Sequence, residues 1–221
     1  MAIRECSVVA GYTKYLELVG DLTEGKELVS SGMTKEIDRA RAAIERAAEG
    51  AKVALVSSGD AGIYGMAGLA IELSDKLGLN VPIEVIPGVS AASSAGARLG
   101  APLALDFAAI SLSDLLVPWE IIKKRLEAVA AADLVVALYN PKSKKRVAQL
   151  EEAADIFLKH RSGATPVGVC DSISLEGERV VVTTLDRFLE EDIAMRTTVI
   201  IGSSSSRVIN GWLVNPRGYR I

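Results

Sequence analysis

Two short stretches, about thirty residues apart, constrain this chain more than anything else in it. They are Ser57-Ser58-Gly59-Asp60-Ala61-Gly62-Ile63-Tyr64-Gly65 and Ile86-Pro87-Gly88-Val89-Ser90-Ala91-Ala92-Ser93. Each follows a short β-like run and opens a helix-like run. Each therefore sets glycine and small polar residues at the end of a strand, which is where open α/β sheets build ligand sites. Two such loops in one domain point to a small polar ligand gripped by backbone.

The rest of the composition agrees with an α/β chain. At 221 residues it suits one large domain or two compact ones. Hydrophobic residues make up 49% but aromatics only 5%, so Ala, Val, Leu and Ile must fill the core. A net charge of −3 gives no global field that would favour nucleic acid. Cys6 and Cys170 form no CxxC spacing and His160 is the one histidine, so no protein-bound metal is expected. The sequence carries neither a signal-peptide pattern nor an apolar run of transmembrane length, so a soluble cytoplasmic protein with no membrane partner is expected.

Along the chain, residues 1–6 read as the tail of a helix. Ser7–Ala10 reads as a strand ended by Gly11, and 16–22 is ambiguous. Thr34 can cap a helix running to about Glu49, with Gly50 as its stop and Ile37, Ala40, Ile44, Ala47 and Ala48 as its apolar stripe. Lys52–Ser57 is a predicted strand, Gly62–Leu77 a helix, Pro82–Ile86 a strand and Val89–Leu99 a helix of tiny residues. In the second half, Phe107–Ser111, Leu134–Tyr139, Pro166–Cys170, Arg179–Thr184 and Thr197–Ile201 read as strands. Helices are predicted from Pro118 to about Ala130, over Lys144–His160 and, briefly, over Leu185–Glu190. Late strands without a long helix after each indicate a more antiparallel second domain. The expected division is 1–103, a mostly parallel α/β domain, and 104–221, a mixed α+β domain, with a ligand cleft between them.

Gly59, Gly62, Gly65 and Gly68 recur every three residues, which is neither GxGxxG nor a P-loop lysine motif. Gly59 can let backbone approach a ligand, and Asp60 can accept hydrogen bonds from an amine or a ribose. The same residues also fit a tight strand–helix turn with glycines for close packing. Ser90 can cap the next helix, whose N-terminus suits a carboxylate or carbonyl; small-residue packing is the commoner meaning of such a turn. Lys142, Lys144, Lys145 and Arg146 follow Tyr139-Asn140-Pro141 and form either a solvated basic face or a receiver for an anionic substrate. His160 reads as a surface or capping residue. Ser113 and Asp114 either cap the following helix or face a cleft. No Ser-His-Asp or Cys-His arrangement can be built.

Taken in order, SSGDAGIYG, IPGVSAASSAGARLGAPL, SLSDLLVPWE and LYNPKSKKR resemble the tetrapyrrole methylases from about Arg4 to Tyr219. Ser111–Glu120 and Leu138–Arg146 resemble one branch of that family in particular, the precorrin-3B C17-methyltransferases of cobalamin biosynthesis. The resemblance implies two α/β domains, a homodimer, and S-adenosylmethionine as methyl donor to a tetrapyrrole. Its cofactor contacts fall on Gly59, Asp60, Ala61, Tyr64, Ser90, Ala91, Asn140 and Ser172, with Thr197 and Thr198 closing the adenine pocket. Arg98, Lys142, Lys144, Lys145 and Arg146 are candidates for the substrate's carboxylates. Asp114, Ser113 and Tyr139 are candidates for acid or base work in the ring contraction that accompanies methylation. Methylation at another ring carbon, or ligand binding without turnover, stays open, as does whether the substrate holds cobalt. Family members open with a strand and a glycine-proline-rich loop, about 25 residues long by strand, loop and helix dimensions, ahead of a segment like Ile3-Arg4-Glu5-Cys6. Here the sequence starts inside the helix expected after that loop.

Overall fold

The computed structural model describes residues 2–144 and 146–220. They form two compact units, Met1–Ser90 and Ala91–Ile221.

The first unit is built on three parallel strands, β1 (Val8–Tyr12), β2 (Glu27–Ser31) and β3 (Val53–Val56), in the order β2-β1-β3. Its helices are α1 (Ala2–Glu5), α2 (Thr13–Leu18), α3 (Glu36–Ala48) and α4 (Ala67–Lys76). β1 lies between its two neighbours, and Val8, Val9 and Ala10 are buried. It does not stop at Gly11, because Gly11 is laddered to Ser30 on one side and Val56 on the other. α3 starts later than the capping pattern predicts: Thr34 sits at φ 65, a left-handed conformation unsuited to a cap. Only Ala40 and Ile44 of the predicted apolar stripe are buried; Ile37 is exposed, and Arg39 and Ala43 take the inner positions instead. Ala40 and Ile44 pack with Met66 and Leu73 of the α4 segment to form a small core. β2 is a strand that its polar, weakly patterned sequence conceals.

The strand expected over Pro82–Ile86 is not formed. Residues 80–90 join no ladder, and 82–89 are all exposed. A β-like sequence becomes a strand only beside a partner that takes up its N–H and C=O groups, and none of the described strands lies there.

The second unit holds α5 (Ala91–Leu99), α6 (Trp119–Ala131) and α7 (Ala148–His160) around a five-stranded sheet. That sheet runs β5 (Phe107–Ser111), β6 (Val135–Tyr139), β9 (Thr198–Ile201), β7 (Pro166–Asp171), β8 (Arg179–Thr184). β5 and β6 are parallel; every other pairing in this sheet is antiparallel. β4 (Gly100–Ala101), β10 (Arg207–Ile209) and β11 (Trp212–Val214) make a separate small sheet that the sequence reading missed. Side chains alternate across a strand, and β6 shows the result. Val136 and Leu138 join the core with Ile122, Leu126, Leu150 and Phe157 of α6 and α7. Val135 and Ala137 join Ala92, Ala95 and Leu99 of α5. Covered on both faces, β6 reads as an unbroken apolar run. Because α5 packs on this sheet, the units divide at Ser90 and Ala91, earlier than the expected 103/104.

Arg161 closes the second unit from inside. Its side chain has no solvent exposure and stands 3.5 Å from Asp133. It donates to the carbonyls of Leu134 at 2.7 Å, Val129 at 3.3 Å and Gly202, and its guanidinium lies over the Phe157 ring at 4.8 Å. Replacing Arg161 by Ala takes a buried donor from the Leu134 and Gly202 carbonyls and empties the space over Phe157. We expect a loss of about 3 kcal/mol in urea unfolding; an unchanged midpoint would show that Arg161 holds nothing together.

Candidate functional site

In the first unit all three strands are parallel, so Tyr12, Ser31 and the segment after Val56 end on one edge. The loop 57–65 rises from that edge and is fixed by Asp60. One carboxylate oxygen accepts from the Gly62 N–H at 2.8 Å, and the other accepts from the Gly88 N–H at 2.9 Å. Asp60 is thus the tie between the two small-residue loops. Donation from Gly88 and then from Gly62 holds its carboxyl below the ordinary aspartate range. The close approach requires glycine at position 88, where a Cβ would stand 2.1 Å from the Gly59 carbonyl oxygen. Gly65 is similarly confined, 2.5 Å from the Ala61 carbonyl oxygen, whereas Gly68 has open space around it. The glycines therefore serve one folded loop, and not a helix-packing ridge. Residues 61–66 turn through this loop, which is why α4 begins at Ala67 and not at Gly62.

Among the described residues, no hydrogen bond uses the N–H groups of Gly59, Asp60 or Ala61. Tyr64, at φ 54, is 55% exposed beside them. Three unspent donors on a loop at a strand's carboxyl end can bind an oxygen-rich, anionic or hydroxylated ligand.

In the second unit, β9 runs against both β6 and β7, so β5, β6 and β7 point the same way. Their carboxyl ends and the start of β9 share one edge. Ser111–Asp114, Tyr139–Asn140, Asp171–Ser172 and Thr197–Thr198 all lie along it. Ser111 Oγ accepts from the Asn140 side-chain amide at 3.0 Å and from the Ser113 N–H at 3.2 Å. Asn140 takes a left-handed φ of 48, turning the chain as it leaves β6. Its carbonyl accepts from Arg146 at 2.7 Å. Ser143 and Arg146 are tied to each other ahead of α7, which starts at Ala148 and not at Lys144. The Tyr139 hydroxyl accepts from the Ala92 N–H at 2.9 Å, joining β6 to the first turn of α5.

Three of the charged candidates have partners of their own. Asp114 accepts from Gln149 at 2.9 Å, anchoring the loop after β5, whose tip exposes Leu115 and Leu116 at 76% and 91%. Arg98 grips Glu178 with two hydrogen bonds, at 2.6 and 3.3 Å, and is not left for a ligand. His160 meets Glu127 at 3.0 Å, as a surface residue would. Lys142, Lys144 and Arg146, by contrast, have no carboxylate within ion-pair distance among the described residues. Lys145 lies outside the described residues.

Thr197 and Thr198 are buried, as is Ser172, which adopts φ 52. The hydroxyls of Ser172 and Thr197 donate to the two oxygens of Asp171 at 2.7 and 2.8 Å. Burial pushes the Asp171 carboxyl up, but these donors, with Arg196 and Arg179, outweigh it and bring the pKa down. Sequence reading missed Asp171; a carboxylate placed directly before a serine at the end of an apolar strand was the available signal. Cys170, one residue earlier, is pushed up to about 12 by burial and is an inert core thiol. Among the described residues no cluster of metal-ligating side chains occurs, and no helix is long and apolar enough to cross a membrane.

Comparison with known proteins gives one consistent answer. Residues 1–189 match the family described as Tetrapyrrole (Corrin/Porphyrin) Methylases. A cobalt-factor III methyltransferase of Priestia megaterium is 48% identical over 99% of this chain, which spans 41% of that longer protein. A probable cobalt-factor III C(17)-methyltransferase of Salmonella typhimurium is 45% identical over 100% of this chain and 91% of its own length. The crystal structure of the methyltransferase CobJ superposes with a TM-score of 0.91 at 34% identity, over 97% of this chain and 90% of that one. A small-residue loop at the end of β3, a mixed second sheet and these likenesses together show that the chain belongs to the tetrapyrrole methylase family.

Proposed function

We propose that this chain is an S-adenosylmethionine-dependent C-methyltransferase acting on C17 of a tetrapyrrole of the cobalt-factor III or precorrin-3B type, with ring contraction, in cobalamin biosynthesis. The observation that carries the reading is the loop 57–65, braced by Asp60 with the N–H groups of Gly59, Asp60 and Ala61 unspent. The relatives' names supply the substrate class. An assembly of two copies is supported by the exposed apolar residues Val208, Ile209 and Trp212 on the β10–β11 hairpin.

In this reading Gly59, Asp60, Ala61, Tyr64, Ser90 and Ala91 hold the methyl donor in one part of the chain, and Asn140, Ser172, Thr197 and Thr198 in another. Thr197 acts through backbone and shape, since its hydroxyl is committed to Asp171 and to the Ala194 N–H. S-adenosylmethionine supplies a methyl group already activated on a sulfonium sulfur. The protein's task is then alignment and exclusion of water, which asks for rigid loops and no nucleophile. Lys142, Lys144 and Arg146 receive substrate carboxylates, and Leu115 and Leu116 offer an apolar surface to the macrocycle. Asp114, Ser113 and Tyr139 lie on the same edge and are the groups available to move the proton that ring contraction displaces.

The direct test is incubation with S-adenosylmethionine and cobalt-factor III, with mass spectrometry for one added methyl group and NMR for its position. A methyl at C17 is expected; a methyl elsewhere, or S-adenosylhomocysteine bound without turnover, would refute the assignment. Asp60→Ala should weaken S-adenosylhomocysteine binding on the order of tenfold by calorimetry, because the two loops lose their common acceptor. Since the Asp60 pKa is lowered in the folded protein, the tie is complete above the ordinary aspartate range and is lost as pH falls through the lowered value. Cofactor affinity should accordingly be flat through neutral and mildly acidic pH; a loss near neutrality would point away from Asp60. Lys142→Glu and Lys144→Glu should each weaken tetrapyrrole binding several-fold, more at low salt than at high, and leave cofactor affinity unchanged. Equal effects on both ligands would remove these lysines from the substrate's site.

A further inference from the structure

Three arginines bury an Nε that meets no acceptor among the described residues: Arg39, Arg146 and Arg161. Arg161 is explained by Asp133 and three carbonyls, and Arg146 belongs to the basic segment discussed above. Arg39 has neither explanation. It is 5% exposed, in the first turns of α3, and no carboxylate among the described residues stands within ion-pair distance of it. One terminal nitrogen donates to Ser31 Oγ at 2.6 Å and to the Gly32 carbonyl at 3.4 Å. The other reaches only the thioether sulfur of Met66, at 3.9 Å, and sulfur is a weak acceptor. A guanidinium cannot shed its proton, so a full positive charge is held out of water with no anion beside it.

Its place in the fold says what the anion is for. Ser31 ends β2, and Gly32 is exposed just beyond it, on the same carboxyl edge of the parallel sheet from which loop 57–65 rises. Met66 is the last residue before α4, and its N–H donates to Ser57 Oγ at 3.2 Å at the root of that loop. One hydroxyl and one carbonyl therefore orient Arg39 without neutralising it. A methionine side chain is unbranched and flexible, so it can leave the second nitrogen uncovered.

We propose that Arg39 is a further substrate-binding residue: its guanidinium takes one carboxylate of the tetrapyrrole, with Met66 as the displaceable cover. The inference rests on the proposed function above. Tetrapyrrole acetate and propionate arms bear carboxylates with no cation nearby. The methyl donor's carboxylate sits next to its own ammonium, which a guanidinium repels, so the substrate is the better match. The planar fork suits bidentate capture, which lysine cannot reproduce.

The test uses the intact protein and its Arg39→Met and Arg39→Lys variants, with cobalt-factor III and S-adenosylhomocysteine as separate calorimetric probes. Methionine of similar length replaces an uncompensated charge, so the ligand-free Arg39→Met protein should melt at the same temperature as the parent or higher. Its affinity for cobalt-factor III should fall by about tenfold or more, while S-adenosylhomocysteine binds within about twofold of the parent. Arg39→Lys should recover only part of the loss, and it decides the matter if the methionine variant does not fold. Unchanged cobalt-factor III affinity in a folded variant, or equal loss of both ligands, would make Arg39 a structural residue and overturn the proposal. A parent that binds S-adenosylhomocysteine but no cobalt-factor III would instead overturn the substrate reading, and this proposal with it.

Discussion

β9 enters the second sheet between β6 and β7 and runs against both. That single insertion leaves β5, β6 and β7 pointing the same way. Ser111, Asn140 and Asp171 then leave their strands on one edge, although they are far apart in sequence. Elsewhere β6 is committed to packing: Val135 through Leu138 are fully buried and feed two cores on opposite faces. A strand covered on both sides has no side chain to spare for a ligand until it ends. The polar residues are consequently concentrated after position 139, where Asn140 turns left-handed and Ser111 takes up its amide.

In the first unit the corresponding constraint is how backbone meets backbone. The Gly88 α-carbon and the Gly59 carbonyl come so close that no side chain fits between the two loops, and Asp60 spans them. A carboxylate accepting two backbone N–H bonds is a strong and directional tie. It frees the neighbouring N–H groups from structural duty. A loop that satisfied all its donors internally would be rigid and have nothing to offer a ligand. A loop that satisfied none would be loose.

The sequence made the five-stranded sheet of the second unit legible, but not that unit's small β4-β10-β11 sheet, and the first unit only partly. Phe107–Ser111 and Arg179–Thr184 were read residue for residue because each is a dense apolar or β-branched run bounded by turns. β2 escaped notice because Glu27-Leu28-Val29-Ser30-Ser31 sits at a sheet edge, and half-exposed strands carry little pattern. The Pro82–Ile86 segment erred in the other direction: it has strand composition but no neighbour, and composition cannot report a neighbour. Of the site, the small-residue loops and the Tyr139–Arg146 segment were visible as local runs. Arg98 was misleading, since its Glu178 partner lies eighty residues away, and Asp171 was overlooked because its Thr197 partner, 26 residues on, also lies outside any local pattern.

The arginines extend that lesson to charge. Sequence gives every arginine the same formal charge, but folding divides them by what faces the guanidinium. Arg98 and Arg161 meet carboxylates and are spent on the structure. Arg39 and Arg146 are held by neutral oxygens, which fix direction while leaving the charge intact. Orienting a cation with dipoles costs stability that a carboxylate would have restored. An arrangement of this kind at the carboxyl edge of a sheet is what the proposed capture of an external carboxylate requires. If the substrate is the polyanionic ring proposed above, that reserve of oriented, uncompensated charge is a means of placing it.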